Sequence, residues 1–222
     1  MTAGNPIKGK KISVTMLARI VSTGVLLLIW HIPIAADFST PMGRVQDSVE
    51  KVLGILNDAS LNRETQWRRI AVVIDESFDF RSMSQSVLST HWRRATLEER
   101  ERFVEFFSQY IEETYRSRIE AYTDQKIEYN NETVDGDRAV VDMAIVTGSS
   151  QIPVSFKLKN NSGDWYGYDV IIEGVSLVNN YRNTFSAIAK NEGMDGLLAD
   201  IQRRIDHYKS SAAADKDTNP DI

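Results

Sequence analysis

Residues 168–185 change hydropathy period in mid-run, and few folds accommodate that change. Tyr168, Val170 and Ile172 alternate with Asp169 and Ile171, the pattern of an extended strand with two faces. Glu173-Gly174 interrupts the run and Ser176 is suited to cap a helix. Leu177, Val178, Tyr181 and Phe185 then recur at helical spacing. A strand that turns straight into a helix with an apolar stripe lets that helix cover the sheet it came from. The upstream segments then have to supply the other walls of the same apolar enclosure.

Those segments read first as helices. Pro41 to Leu56 carries Val45, Val49, Val52, Leu53 and Leu56 on one stripe, and residues 64–76 carry Trp67, Ile70, Val73 and Ile74. Asp79 is placed to cap a short helix from Phe80 to about Ser89, with Phe78 and Met83 spaced as a hydrophobic staple. Trp92 follows as a core plug. Thr96 and Glu99 form a capping box that opens the longest helix, to about Ala121. Its face of Phe103, Phe106, Phe107, Tyr110, Ile111, Tyr115, Ile119 and Tyr122 is broad and unusually aromatic.

Four strands come next. Residues 127–134 and 138–146 flank Asp135-Gly136, a strong hairpin signal. Ile152, Val154, Phe156 and Leu158 then alternate with Pro153, Ser155, Lys157 and Lys159, a half-buried antiparallel strand. Residues 165–172 make the fourth. Beyond Phe185, Gly193-Met194-Asp195-Gly196 breaks the chain before a last helix with Leu197, Leu198, Ile201 and Ile205 inward. The expected class is α+β. It has a twisted antiparallel sheet of four to five strands, covered on one face by helices that enclose an apolar cavity, in the cystatin-like manner.

Basic residues Lys8, Lys10, Lys11 and Arg19 precede an apolar run from Ile20 to Ile34, which ends in Ala35-Ala36-Asp37. That is the signal-peptide pattern, and a run of this length is short for a membrane span of roughly 20 residues. Residues 1–36 are therefore expected to be removed near Ala36, leaving a periplasmic domain over 37–209 and a disordered tail over 210–222. Of the 26 Lys and Arg, four fall in 1–36, which holds no acid, so the rest carries 22 bases against 31 acids. A chain that acidic is a poor match for nucleic acid. It contains no cysteine and three histidines, which argues against thiol chemistry and against a metal site.

Reactive constellations are weak. There is no glycine-rich phosphate loop and no Ser/His/Asp arrangement in a nucleophile elbow. Asp79, Asp142, Asp169 and Glu173 could meet in space. A small enzyme on a cystatin-like or steroid-isomerase-like scaffold would need Asp142 or Asp169 inside the cavity as its acid or base. A peptide-binding adaptor would need an open apolar groove instead. The sequence offers apolar surface more convincingly than either.

Several stretches resemble the MlaC family, the toluene-tolerance periplasmic proteins. They are Phe78-Asp79-Phe80 with Met83 and Val87-Leu88, Trp92-Arg93, Arg102-Phe103 with Phe106, and the region of Tyr115. Above all they include Trp165, Tyr168-Asp169-Val170, Glu173-Gly174-Val175-Ser176-Leu177-Val178, Asn180-Tyr181-Arg182 and Phe185. The resemblance runs over residues 40–207. It departs at Ser89-Thr90, where the family usually carries a glycine after the Val-Leu pair.

The resemblance implies a monomeric periplasmic phospholipid carrier that is not an enzyme and needs no cofactor. It implies two partners, an outer-membrane lipoprotein–porin complex and an inner-membrane transporter with an MCE-domain ring and an ATPase. Traffic between them maintains outer-membrane lipid asymmetry. The acyl chains sit between sheet and helices. The expected lining here is Val141, Met143, Phe156, Val170 and Ile172 from the sheet, with Phe80, Met83, Phe103, Phe106, Tyr110, Val178, Tyr181 and Phe185 from the helices.

Overall fold

The computed structural model describes residues 40–122, 125–148 and 150–218. The candidate signal segment and its cleavage site lie outside them. Five helices come first: α1 (Pro41–Leu56), α2 (Arg63–Ser77), α3 (Phe80–Leu88), α4 (Thr90–Arg94) and α5 (Leu97–Glu120). Strands β1 (Lys126–Asp135), β2 (Arg138–Thr147), β3 (Ser150–Asn161), β4 (Asp164–Ile172) and β5 (Val175–Ser176) follow, then α6 (Leu177–Thr218). The strands form one antiparallel sheet in chain order. The class is α+β, as the order of segments predicts.

The helix starts are set by local chemistry. Thr40, Asn62, Asp79 and Thr96 each accept a hydrogen bond from a first-turn backbone N–H, of Gly43, Thr65, Ser82 and Glu99 respectively. At α5 the box is reciprocal, with the Thr96 N–H donating to Glu99 at 2.7 Å. Ser176 caps α6 by accepting from the Asn179 N–H at 3.1 Å.

Register fixes which sheet residues face inward. Val141 pairs with Phe156 and Phe156 with Val170; Met143 pairs with Val154 and Val154 with Ile172. These two cross-strand rows share one face. The alternation expected for β4 is broken by a bulge between the Lys157–Asp169 and Leu158–Gly167 pairs, which leaves Tyr168 as the extra residue. Tyr168 therefore does not join Val170 and Ile172; its ring stacks under the Arg138 guanidinium at 5.1 Å.

Sheet and helices are tied at the free edge of β4. Phe78 makes a parallel bridge to Gly167, and the Asp79 N–H donates to the Gly167 carbonyl at 2.8 Å. The Phe78 ring lies so close over Gly167 that a Cβ there would sit 2.6 Å from it. The ring packs 6.0 Å from Phe80 and 6.3 Å from Phe156. Phe78, expected as a staple at the start of α3, joins α3 to the sheet. Elsewhere Arg116, on α5, reaches Glu120 at 2.8 Å and Glu64 of α2 at 3.3 Å, while stacking on Trp67. The Arg182 guanidinium of α6 donates to the Ser86 carbonyl of α3 at 2.7 Å.

Helix α6 breaks where Gly193 is predicted to break it. Gly193 adopts φ 73°, ψ −171°, which leaves the helical region at a φ that favours glycine. The two arms on either side both return to α5, since Tyr110 meets Tyr181 and Phe185 from the first arm and Tyr208 from the second. The second arm is helical to Thr218.

Ser89, between α3 and α4, sits at φ 51°, ψ −112°. A side chain in that region costs on the order of 1–3 kcal/mol. This is the position at which the sequence departs from the glycine of the family it resembles. Ser89→Gly should therefore stabilise the fold by about 1 kcal/mol, read as a rise of about 2–4 °C in thermal midpoint.

Candidate apolar cargo site

All thirteen residues expected to line a cavity fall in one contiguous apolar cluster. Phe80, Met83, Phe103, Tyr110, Val141, Met143, Val170, Val178, Tyr181 and Phe185 are buried in it; Phe106, Phe156 and Ile172 are half-buried against it. The sheet contributes the two cross-strand rows. Helix α3 contributes Phe80 and Met83, and α5 and α6 contribute the rings.

The rings form a continuous array. Phe103 stacks on Phe107 at 5.6 Å, and both meet the edge of Phe185, at 6.1 and 6.2 Å. Tyr181 lies 5.6 Å from Phe185, 5.7 Å from Phe107 and 5.5 Å from Tyr110. Edge-to-face and offset pairs of this kind add about 0.5–1.5 kcal/mol each to simple burial. Phe107, fully buried at the centre of the array, belongs to the aromatic face read from the sequence but not to the expected lining. Leu197, Leu198, Ile201 and Ile205, from the second arm of α6, are at most 1% exposed and close the cluster.

Three of the four acids considered as catalytic groups, Asp169, Asp142 and Asp79, have structural partners. The Asp169 carboxylate accepts from the Ser176 hydroxyl at 2.7 Å and the Val178 N–H at 3.1 Å, and lies 3.6 Å from the Lys157 ammonium. Asp142 accepts from Ser155 at 2.6 Å, on the sheet face opposite Val141 and Met143. Asp79 pairs with Lys159 and Ser82. Burial acts to raise the Asp79 carboxyl, but hydrogen bonds from Lys159 and from the Ser82 N–H and hydroxyl outweigh it and hold the group below the ordinary carboxylate range. Among the described residues, no group of three or more His, Asp or Glu side chains is placed to hold a metal ion, and no helix is long and apolar enough to cross a membrane.

One acid behaves differently. Burial on α5 pushes the Glu112 carboxyl up to about 7, helped by the neighbouring charges of Asp75 and Glu113 and opposed by Lys209. Nothing in the sequence marks it, because Asp75 and Lys209 arrive from α2 and α6. A depression of about 710 Å³ between α1 and α2, lined by Lys51, Ile55, Arg68, Arg69, Val72 and Val73 among others, contains none of the expected lining. It is open and edged with charge, unlike the ring array.

The comparisons with known proteins bear on this geometry. A sequence model for the MlaC protein family matches residues 46–203. The chain belongs to the MlaC family. A Haemophilus influenzae relative named intermembrane phospholipid transport system binding protein MlaC is 24% identical over 175 residues, which is 74% of this chain and 82% of that one. The Pseudomonas putida toluene tolerance protein ttg2D is 26% identical over 215 residues, 89% of this chain and 93% of its own. Among solved structures, a phospholipid-binding protein from Ralstonia solanacearum, crystallised with a phospholipid, superposes with a TM-score of 0.69. It is 22% identical and covers 75% of this chain and 97% of its own. The two chains share a fold.

Glu112 gives a pH test. Its folded pKa is raised, so its contribution to stability is most favourable below the unfolded value. That contribution is lost as pH rises through about 7. Glu112→Gln should therefore stabilise the protein at pH 8, by roughly 1 kcal/mol given the solvent that reaches the group, and change little at pH 4. Denaturant midpoints at the two pH values check this.

Proposed function

We propose that the protein is a periplasmic phospholipid carrier of the Mla type. The acyl chains occupy the space between the inward rows of β2, β3 and β4 and the aromatic faces of α5 and α6, while the headgroup stays near solvent. The observation that carries this reading is the single apolar cluster built from both layers, in a chain of the MlaC family. The names of the Haemophilus influenzae relative and of the Ralstonia solanacearum structure point to the same cargo. The basic-then-apolar N-terminal segment supports export to the periplasm. The partners proposed are an outer-membrane lipoprotein–porin complex and an inner-membrane MCE-domain transporter.

The energetics explain why such a carrier needs no catalyst. Each methylene moved out of water is worth about 0.8 kcal/mol, so two chains of about 15 methylenes are barred from free diffusion by roughly 20 kcal/mol. An interior as apolar as the bilayer makes exchange between the two close to neutral. Cargo that enters this cluster requires its side chains to repack around the acyl chains. Met83 and Met143, unbranched and deformable, suit that repacking. The carboxylates Asp142 and Asp169, held by Ser155, Ser176 and the Val178 N–H, favour this reading over a small enzyme.

Transfer of a fluorescent phospholipid between vesicles, catalysed by the chain from residue 37 onward, tests the proposal. Phe156→Glu places a charge in the middle of a cross-strand row and should cut the transfer rate at least about ten-fold, since burying an unpaired charge costs several kcal/mol. Unchanged transfer by a folded Phe156→Glu variant would remove the sheet from the site.

A further inference from the structure

Helices α1 and α2 leave an open groove of about 710 Å³ between them, away from the ring array. On α1, Gly54 and Ile55 lie one turn from Lys51 and from Asp58; on α2, Arg68 and Arg69 lie one turn from Val72 and Val73. Each helix thus lends one stripe to the groove. The walls are held by polar ties at both ends. The Gln66 amide of α2 donates to the Ile55 and Leu56 carbonyls of α1 at 3.2 and 3.1 Å, and the Ser48 and Ser77 hydroxyls bond at 2.8 Å.

Gly54 has no role inside the chain that calls for a glycine. Its backbone is helical, its φ is not positive, and a Cβ built on it would meet nothing within 4 Å. A glycine in a helix is less stable than an alanine, and what it offers is close approach of another backbone. The groove floor beside it is apolar. Ile55 and Val73 are half-buried, and Val72 is 54% exposed.

Charge runs against the rest of the molecule. Residues 37–222 carry 22 bases and 31 acids, yet the groove is lined by Lys51, Arg68 and Arg69 against Asp58 alone. Asp58 accepts from the Ser60 N–H and hydroxyl at 3.0 and 2.6 Å, and Lys51 pairs with Asp47 along α1 at 2.9 Å. Arg68 and Arg69 are exposed on the α2 wall.

We propose that this groove docks an acidic amphipathic helix of a partner protein. The helix backbone crosses over Gly54, its apolar face rests on Ile55 and Val72, and its carboxylates meet Arg68 and Arg69. A helix laid between two others fits such a groove, and a flat lipid surface would not follow its concave floor. The arginine pairs give partner choice and speed of encounter. None of these residues belongs to the apolar cluster, so the inference does not depend on the carrier reading.

The test uses the chain from residue 37 and two stapled helices of about three turns, read by fluorescence anisotropy. Both carry leucines on one face with an alanine at the crossing point; one is flanked by glutamates and the other by lysines. The glutamate helix should bind and the lysine helix should not. Arg68→Glu/Arg69→Glu should lose the glutamate helix by about ten-fold and gain the lysine helix. Gly54→Leu should keep its thermal midpoint and lose the glutamate helix by a similar factor, about ten-fold. Equal binding of the two helices, binding of neither, or binding unchanged in both variants overturns the inference. Self-association of the wild type that Gly54→Leu abolishes overturns it in favour of a second copy of this chain. Binding to phosphatidylglycerol vesicles that needs Arg68 and Arg69, with no binding of the glutamate helix, overturns it in favour of a lipid surface.

Discussion

The Asp169 carboxylate, 5% exposed, is where the last long strand is joined to the last helix. It receives the Ser176 hydroxyl and the Val178 N–H, with Lys157 alongside on β3. Hydrogen bonds to a charged group contribute about 1.5–3 kcal/mol each, and removing the carboxylate would leave a buried donor unpaired. The geometric consequence matters more. These bonds fix the direction in which α6 leaves the sheet, and hence where Tyr181 and Phe185 point. Those two rings touch Phe103, Phe107 and Tyr110, so the aromatic array depends on a polar contact at its margin.

Much of this was legible in the residue pattern. The caps at Asp79, Thr96 and Ser176 announce themselves, because a short polar side chain before an apolar period has one favoured job. Strict alternation puts Ile152, Val154, Phe156 and Leu158 on one face of β3, while the face of β2 that turns inward is set only by its cross-strand partners. What the pattern hides is non-local. The bulge at Tyr168 shifts one residue across the sheet, and only the facing strand reveals it. The approach of Phe78 to Gly167 joins segments far apart in the chain, so the glycine reads as ordinary until the ring is seen above it. Glu112 is raised chiefly by burial, with Asp75 of α2 adding to it, and neither shows in its own segment.

The rings join α5 to both arms of α6 in one array. Phe103, Phe107 and Phe185 pack together, and Tyr110, Tyr181 and Tyr208 adjoin them. The break at Gly193 belongs to the same design, since it turns α6 back so that Tyr208 reaches Tyr110, which Tyr181 already meets.

The central claim is that this interior carries phospholipid, and the most direct measurement is of what the protein holds. The chain from residue 37, isolated from a periplasmic fraction without detergent, would be extracted with organic solvent and the extract analysed by mass spectrometry. The account predicts phospholipid at close to one molecule per chain. Protein that yields no phospholipid, and that also takes none from vesicles, would contradict it.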